Sequence, residues 1–275
     1  MPELPEVETI ARGVHARVHG DRIREAWFSE HKQPFKTPAS IQERGLAGRA
    51  ILSVHRTGKH IVCELGDEGG GQVSAQWIVH LGMTGRLLVT TPEGPVAKHT
   101  HARLSLESGR EIRFVDARRF GRLELRELRN TTGFSAAGHE PLTIGATEFV
   151  KLFRGRKLAI KAALLNQQLL SGVGNIYADE SLFQSGIRPR RRAGRLTRDE
   201  LERLRQALRT VLGHAIRLGG SSVSDYVDAN GAKGFFQLEH CVYMRTGLPC
   251  RKCGTPIKRI VLAGRGTHYC PQCQR

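Results

Sequence analysis

The sequence lacks any apolar stretch long enough to cross a lipid bilayer. A transmembrane helix needs about 18 or more mostly apolar residues in a row, and no such run occurs in the chain. The chain begins MPELPEVET, without the basic start and apolar stretch of a secretory signal peptide. Neither a basic amphipathic helix nor a lipidation motif stands out. These absences argue against a membrane protein, and we expect the protein to act in the cytosol.

Acidic residues are scarce relative to basic ones. Asp and Glu number 26 against 43 Lys and Arg, which gives a formal charge of +17 with His neutral. This excess predicts a polyanionic partner, because a strong field of one sign concentrates the opposite charge. Nucleic acid fits better than an anionic membrane, since the membrane motifs are missing. Hydrophobic residues still make up 39% of the chain, which excludes wholesale disorder.

The apolar pattern of the first half predicts one helix followed by strands. Apolar residues recur at three- and four-residue spacing over residues 5–19, and acidic residues stand at the start, where the helix dipole favours them. Short alternating runs then predict strands at 51–55, 60–65, 77–81, 102–106 and 111–115. Breaks containing Gly and Pro separate these runs. This pitch favours a β-sandwich or barrel over βαβ units, and no internal repeat is present.

The second half has helical periodicity. It follows a stretch rich in Gly, Thr, Ser and Pro at 130–145, which predicts a linker. The clearest helix runs over 198–218, with Thr197 and Glu200 as a capping box. Residues 164–184 predict a helix, a glycine turn and a second helix. Asn175 could cap that second helix and its amides could meet a phosphate; an ordinary helical hairpin is the alternative. Six arginines lie within 188–198, a run that by itself fits a solvated loop.

Four cysteines form two CxxC pairs near the end of the chain. They are Cys250, Cys253, Cys270 and Cys273, with 16 residues between the pairs. Four thiolates at this spacing predict a tetrahedral, structural Zn²⁺ site that replaces a core too small to form alone. Two disulfides are the alternative, which the missing secretory signal disfavours. Cys63 and Cys241 lie apart from this cluster and are expected to be buried apolar residues.

Pro2 offers a reactive amine if the initiator Met is removed. An α-amino group is partly unprotonated at neutral pH. A secondary amine that attacks an aldehydic carbon forms an iminium ion, which is an electron sink for elimination. Glu3 and Glu6 could move protons nearby, and Lys59 could lower the pKa of the amine by charge repulsion. On the residues alone, the alternative is that Pro2 merely starts the chain. If Met1 remained, the Pro2 nitrogen would be an amide and could not attack.

Several motifs occur together and in order along the chain. They are MPELPEVET at the start, VHLGM at 79–83, DARRFG at 116–121, GVGNIY at 172–177 and the four-cysteine ribbon. In this combination the chain resembles the bacterial formamidopyrimidine-DNA glycosylases over its whole length. The resemblance implies a multi-domain α+β fold with DNA in a cleft between the two halves. Its parts are an N-terminal helix with a β-sandwich (1–134), a linker (135–147), a helix–two-turn–helix domain (148–240) with a lesion loop (221–234), and a zinc ribbon (241–275).

The resemblance also implies an activity and its catalytic residues. Such an enzyme, expected as a monomer with one structural Zn²⁺, removes oxidised purines from double-stranded DNA. It then cuts the abasic site by β/δ elimination. Pro2 resembles the nucleophile that forms a Schiff base at C1′. Glu3 resembles the carboxylate that assists sugar-ring opening, and Lys59 the lysine beside the sugar. Glu6, and less closely Glu180, match supporting carboxylates.

Further positions resemble DNA contacts of that family. Met83, Arg118 and Phe120 match the residues that fill the void left by an extruded base, whose unstacking costs a few kcal/mol. Four residues match phosphate contacts, which position a duplex without reading its sequence: His80, Lys161, Asn175 and Arg265. Residues 221–234 match the loop that closes over the lesion, and its glycines suit a mobile lid. Within this loop, Tyr226 is the first residue of interest.

One departure and three alternatives remain. Ala117 stands where many relatives have Pro, which leaves the Arg118 loop less constrained and puts cytosine discrimination in doubt. The endonuclease VIII-like branch, which prefers oxidised pyrimidines, tends to carry Gly at the position of Leu4 and to lack the LGM and RRFG motifs. A lesion-binding protein without chemistry would leave Pro2 and Glu3 unexplained. An RNA-binding ribbon protein would leave the N-terminal motif unexplained.

Overall fold

The computed structural model describes residues 1–30, 35–67, 69, 71–129, 131–223 and 226–275. Its helices are α1 (Leu4–Val18), α2 (Ala39–Leu46), α3 (Ala146–Phe153), α4 (Ile160–Leu164), α5 (Asn175–Ser185) and α6 (Arg198–Arg217). Its strands are β1 (Ile23–Phe28), β2 (Ala50–Thr57), β3 (His60–Gly66), β4 (Val73–His80), β5 (Arg86–Thr90), β6 (Thr100–Leu106), β7 (Glu111–Val115), β8 (Arg122–Glu127), β9 (Lys258–Leu262) and β10 (Arg265–Tyr269). Contacts divide the chain into two units. Unit 1 is Met1–Ser135 with Gly219–Gly234, and unit 2 is Ala136–Leu218 with Phe235–Arg275.

Unit 1 is built on two antiparallel four-stranded sheets. Their strand orders are β1-β6-β7-β5 and β2-β3-β4-β8. Apolar side chains from both sheets and from α1 form one core, in which Ile61, Trp77 and Phe114 are almost completely buried. Alternate strand positions supply this core because successive side chains of a strand point to opposite faces of its sheet. The α+β class and the predicted β-sandwich are therefore confirmed.

Helix α1 begins at a capping box. Glu3 is the N-cap residue, and its backbone N–H donates to Glu6 Oε2 at 2.9 Å. An apolar stripe along the helix, including Val7, Ile10 and Val14, packs into the core of unit 1. A cap of this kind contributes about 1 kcal/mol. The capping box fixes the backbone of the residues that immediately follow Pro2.

The segment after α6 belongs by its contacts to unit 1. Val89 N donates to Ala229 O at 3.1 Å, and Arg17 donates to Asn230 Oδ1 at 2.6 Å. The family resemblance predicted residues 221–234 to be a lesion loop within the helical domain. The structure groups it instead with α1 and β5. The other domain boundaries stay predictions, and residues 224 and 225 of the loop lie outside the described residues.

Unit 2 contains α3 to α6 and the hairpin β9–β10. The predicted capping box of α6 is confirmed: Glu200 N donates to Thr197 Oγ1 at 3.2 Å, and Thr197 N donates to the Glu200 carboxylate at 2.8 Å. The predicted cap of α5 is wrong. Gly174 is the N-cap, and Asn175 is already helical. Its side-chain amide donates instead to Gly266 O at 3.0 Å. Among the described residues, no helix is both long and apolar enough to span a membrane.

Candidate functional site

Two buried carboxylates mark the start of α1. Glu3 is 5% exposed and Glu6 is 2% exposed. Glu6 uses one oxygen for the Glu3 amide, and its Oε1 accepts from Ser221 N at 2.7 Å. Gly220 lies so close that a Cβ there would come within 2.8 Å of Oε1. Glu6 therefore joins the beginning of the chain to the loop that follows α6, which suits a positioning role.

Pro2 and Lys59 lie in unit 1 with these carboxylates. Pro2 is buried, whereas Met1 is exposed. Lys59 is half-buried in the tight turn between β2 and β3, where Gly58 has a positive φ of 62°. The charge of Lys59 acts on His80 at the end of β4. The catalytic roles of Pro2, Glu3, Glu6 and Lys59 stay predictions.

His80 is held as a neutral hydrogen-bond donor. Burial, followed by the charges of Arg122, Lys59 and Lys36, lowers its pKa to about 4. Its Nδ1 accepts from the Gly82 backbone N–H at 3.2 Å. The proton of the neutral ring must then sit on Nε2, because one nitrogen of a neutral imidazole accepts while the other donates. This N–H could reach a phosphate oxygen without a charge on the ring.

Met83, Arg118 and Phe120 stand on two neighbouring loops of unit 1. Met83 is 41% exposed and Phe120 is 51% exposed. The Arg118 guanidinium lies over the Phe120 ring, 4.9 Å from its centroid. Large apolar side chains exposed beside a cation are typical of a binding surface. The structure thus brings together the residues expected to fill an emptied base position.

Asp116 fastens these two loops to each other. Its carboxylate accepts from Thr84 Oγ1 at 2.5 Å and from Gly121 N at 2.7 Å. Gly82 allows the close approach, since a Cβ there would lie 2.6 Å from the carbonyl carbon of Phe120. No role for Asp116 or Thr84 was predicted from the sequence. The position of Asp116 at the head of the DARRFG motif was the available signal.

Lys161 is enclosed by protein and does not present its ammonium to a phosphate. The side chain is fully buried, and Nζ lies 2.7 Å from Asp179 Oδ1. It also donates to Thr267 Oγ1 at 2.8 Å and to Gly266 O at 2.9 Å. The expected phosphate contact is therefore not supported. A lysine this deeply buried needs a carboxylate partner, and here it fixes β10 against α4 and α5.

Two other predicted phosphate contacts adjoin this buried pair. Asn175 donates to Gly266 O, the same carbonyl that Lys161 holds. Arg265, the preceding residue, is exposed at the start of β10. The structure thus brings Asn175 and Arg265 together, with Lys161 as their support. Their contacts with phosphate stay predictions.

Glu180 is a structural carboxylate. It accepts backbone N–H groups of Cys241, Val242 and Tyr243 at 2.8–2.9 Å. Burial raises its pKa, and the three amides oppose that shift. Its oxygens are occupied by the turn that leads into the ribbon. The structure therefore does not support the looser suggestion of a catalytic supporting role.

Tyr226 anchors its loop. The ring is buried, and its hydroxyl donates to Gly219 O at 2.9 Å. Burial and the nearby Glu6 charge raise the pKa of this hydroxyl. The loop ends meet closely, since a Cβ on Gly234 would lie 2.3 Å from Gly220 O. In this conformation the Tyr226 hydroxyl is bound to Gly219, at the start of the segment that follows α6.

The four ribbon cysteines fit a tetrahedral zinc site. Their Sγ atoms all lie within 4.8 Å of one another. Cys253 and Cys270 are 3.5 Å apart, and Cys250 and Cys273 are 3.9 Å apart. Sulfurs about 2.3 Å from a tetrahedral ion would be about 3.8 Å apart, whereas a disulfide needs about 2.0 Å. The geometry favours zinc over disulfides. Elsewhere, Cys63 is buried as expected, but Cys241 is only half-buried.

Comparisons with known proteins agree with this organisation. Residues 1–123 match the formamidopyrimidine-DNA glycosylase N-terminal domain, residues 138–227 its H2TH domain, and residues 247–275 the zinc finger found in FPG and IleRS. The chain is 45% identical over 275 residues to a formamidopyrimidine-DNA glycosylase of Solibacter usitatus and 43% identical over 279 residues to one of Thioalkalivibrio sulfidiphilus. Each match covers 100% of both chains.

Solved structures give the same result. One is a Lactococcus lactis FPG mutant in complex with Fapy-dG-containing DNA, with a TM-score of 0.88, 32% identity and 100% coverage of both chains. Another is Lactococcus lactis Fpg with abasic-site DNA, with a TM-score of 0.87 and 33% identity over 99% of each chain. A third is MutM (Fpg) from Thermus thermophilus, with a TM-score of 0.85 and 42% identity over 99% of this chain and 98% of that one.

Proposed function

The chain belongs to the formamidopyrimidine-DNA glycosylase family, and we infer its activity and the roles of its residues from this membership. It is a base-excision repair enzyme for oxidised purines, a DNA glycosylase that also acts as an abasic-site lyase. This conclusion depends on the arrangement of Pro2, Glu3 and Glu6 at the start of a chain that matches family members over its full length. There Pro2 precedes a capping box in which Glu6 is also bound to Ser221.

The reaction begins at the nitrogen of Pro2. Removal of Met1 turns this nitrogen into a secondary amine. Its lone pair forms a bond to C1′ of the damaged nucleotide while the bond from C1′ to the base breaks. The base leaves with the bonding electrons and takes up a proton, and the attacking nitrogen gives up its own proton, which restores its lone pair. Opening of the sugar ring then gives the iminium ion, and Glu3 delivers the proton that the ring oxygen O4′ needs.

Strand cleavage follows from the iminium. Loss of a proton from C2′ feeds electrons into the iminium, and the bond from C3′ to its phosphate oxygen breaks. A second elimination breaks the bond from C5′ to the other phosphate. The Lys59 ammonium keeps the amine deprotonated by raising the cost of a second positive charge nearby. Glu6 acts through position, since both of its oxygens hold backbone amides.

DNA engagement is divided between an insertion set and a phosphate set. Met83 and Phe120 fill the space left by the extruded nucleotide and stack against the neighbouring bases, and Arg118 donates hydrogen bonds to the unpaired cytosine. His80 donates its Nε2 proton to a phosphate, and Asn175 and Arg265 serve further phosphates. The ribbon zinc supplies no chemistry, because four thiolates fill its coordination sphere. We propose that the protein works as a monomer on bacterial nucleoid DNA in the cytoplasm.

A borohydride trap tests this assignment. Protein and a duplex with one 8-oxoguanine opposite cytosine are mixed with borohydride, and the cross-link is mapped by mass spectrometry. We expect an adduct at Pro2 of a chain that has lost Met1. We also expect Pro2→Gly to weaken strand cleavage far more than binding. Equal loss of both would assign Pro2 to structure.

Two further outcomes would change the proposal. An adduct with a pre-formed abasic site but none with 8-oxoguanine would support the lyase activity alone. The search for the base substrate would then turn to oxidised pyrimidines such as thymine glycol. No adduct with either duplex, despite tight binding, would favour a lesion-binding protein without chemistry.

A further inference from the structure

Two segments of unit 2 form a paired surface that the catalytic proposal does not use. Residues 154–160 and 190–195 run side by side. Ala193 N donates to Leu158 O at 2.9 Å, and Ile160 N donates to Arg191 O at 2.7 Å. A Cβ on Gly194 would lie 2.7 Å from the backbone nitrogen of Arg156. Glycine therefore permits an approach that any other residue would obstruct, and the backbone of this surface is fixed by hydrogen bonds.

The charged side chains that these segments expose are all cations. They are Arg154, Arg156, Lys157, Arg190, Arg192 and Arg195, which we call the arginine patch. Arg191, Arg192 and Arg195 line a concavity of about 510 Å³ at its surface. Like charges on paired segments repel one another, which costs stability unless an anion offsets the repulsion. A surface built in this way indicates an anionic ligand.

The neighbouring arginines show which cations the fold itself needs. Arg191 forms a two-pronged pair with Glu200, at 2.5 and 2.9 Å, and Arg188 donates to Pro271 O at 2.9 Å. Glu200 is also committed to the cap of α6. In contrast, no carboxylate lies within ion-pair distance of any cation of the arginine patch, as far as the described part of the chain extends. The guanidinium groups of the patch therefore keep most of their donors for an external ligand.

We propose that the arginine patch is a second binding surface for the phosphodiester backbone of duplex DNA. It consists of residues other than those assigned to lesion engagement. The guanidinium fork matches phosphate geometry, and several exposed cations on two paired segments suit a repeating polyanion better than a single small ion. The proposal rests on the proposed function in one respect: it takes DNA as the polyanion that this enzyme binds. Its role is to retain the enzyme on lesion-free duplex during the search.

Salt dependence of binding tests the proposal. The variant R192Q/R195Q removes two patch cations, and the matched control R203Q/R209Q removes two exposed arginines of α6 with the same change in net charge. Affinity for a lesion-free duplex of several helical turns is measured from about 50 to 200 mM salt. Two lost phosphate contacts should make the slope of log K against log salt shallower by about 1.8. Between about 50 and 200 mM salt, the affinity of the variant should therefore fall by a factor about 12 times smaller than that of the wild type.

Further measurements separate this test from that of the catalytic proposal. R192K/R195K should keep most of the wild-type slope, because it keeps the charge. Single-turnover excision from a short lesion-bearing duplex should be unchanged in R192Q/R195Q, which also shows that the variant is folded. If the wild type failed to excise any lesion, the proposed function would fail while the slope still reported on the patch. A wild-type slope in R192Q/R195Q, an equal change in the control, or an effect confined to RNA would overturn the patch proposal.

Discussion

Replacing Lys161 by Met should destabilise unit 2 and leave unit 1 intact. Lys161 and Asp179 are both 0% exposed, with 2.7 Å between Nζ and Oδ1. Removing the ammonium leaves a buried carboxylate whose other contacts are with the backbone N–H and the ring of His268. Breaking a buried pair on one side costs roughly 3–5 kcal/mol. For a unit of this size, that loss lowers the melting temperature by on the order of 10 °C.

Two signals assign the damage to a unit. Both tryptophans, Trp27 and Trp77, lie in unit 1, whereas all four ribbon cysteines lie in unit 2. Zinc release, followed with a colorimetric chelator during heating, should shift to lower temperature in Lys161→Met. The tryptophan fluorescence transition should stay where it is. This separation follows because Lys161 holds Gly266 and Thr267 of the ribbon hairpin.

A double variant supplies the control. Lys161→Met with Asp179→Asn removes both charges and keeps an oxygen that can accept from His268 N, so it should recover at least half of the lost stability. A loss below about 1 kcal/mol in the single variant would contradict a stabilising role for the buried pair, because an exposed pair contributes as much as that. So would simple additivity in the double variant, since two groups in contact must couple. A shallower salt slope for DNA binding at unchanged stability would instead restore Lys161 to the phosphate contacts.

Three further predictions concern the loop, the histidines and the metal. Gly220→Ala should lower strand cleavage and reduce the free energy of unfolding by about 1–3 kcal/mol, because the new Cβ meets the Glu6 carboxylate. Gly231→Ala has a similar φ but open space around its Cβ, so it controls for backbone strain. Equal effects of the two variants would contradict the Glu6 contact. Burial lowers the pKa values of His60 and His80 from the usual 6.5 of histidine to about 4, so both rings resist protonation in the folded state. Unit 1 should therefore lose stability as pH falls from about 6.5 to 4, as followed by tryptophan fluorescence, and His60→Tyr should flatten this dependence. Chelating the zinc should abolish DNA binding, and tight binding by verified metal-free protein would contradict this.

Local signals in the sequence were sufficient for some elements. The capping box of α6 depends on two residues three positions apart, and the spacing of the CxxC pairs predicts the zinc ribbon. Strand β8 was missed although it carries a clear alternation: Leu123 and Leu125 are buried between charged residues. The charges of Arg122, Glu124 and Arg126 concealed this pattern. Charged residues are uncommon in strands, except where one face of the sheet is exposed to solvent.

Tertiary contacts decided the remainder. Nothing near Lys161 in the sequence reveals that its ammonium meets Asp179 and, more than a hundred residues later, Thr267. The family resemblance therefore indicated a phosphate contact where the structure has a buried support. The structural contacts of Glu180 were hidden for the same reason, since its partners are backbone amides, which no sequence pattern displays. The insertion residues Met83, Arg118 and Phe120 were recognised by resemblance alone, and the Asp116 carboxylate that fastens their loops could not be inferred from periodicity.

The return of the chain from unit 2 to unit 1 has a consequence for protein synthesis. Glu6 emerges from the ribosome among the first residues, but the Ser221 amide that it binds belongs to a segment that unit 1 receives only after most of unit 2 has been made. At about 5–20 residues per second, the growing chain carries an incomplete unit 1 for roughly 5–20 s. A nascent or truncated chain that ends before residue 219 therefore has Pro2 and Glu3 without the finished Glu6 support. The order of synthesis thus delays the Glu6–Ser221 contact until the helices of unit 2 already exist.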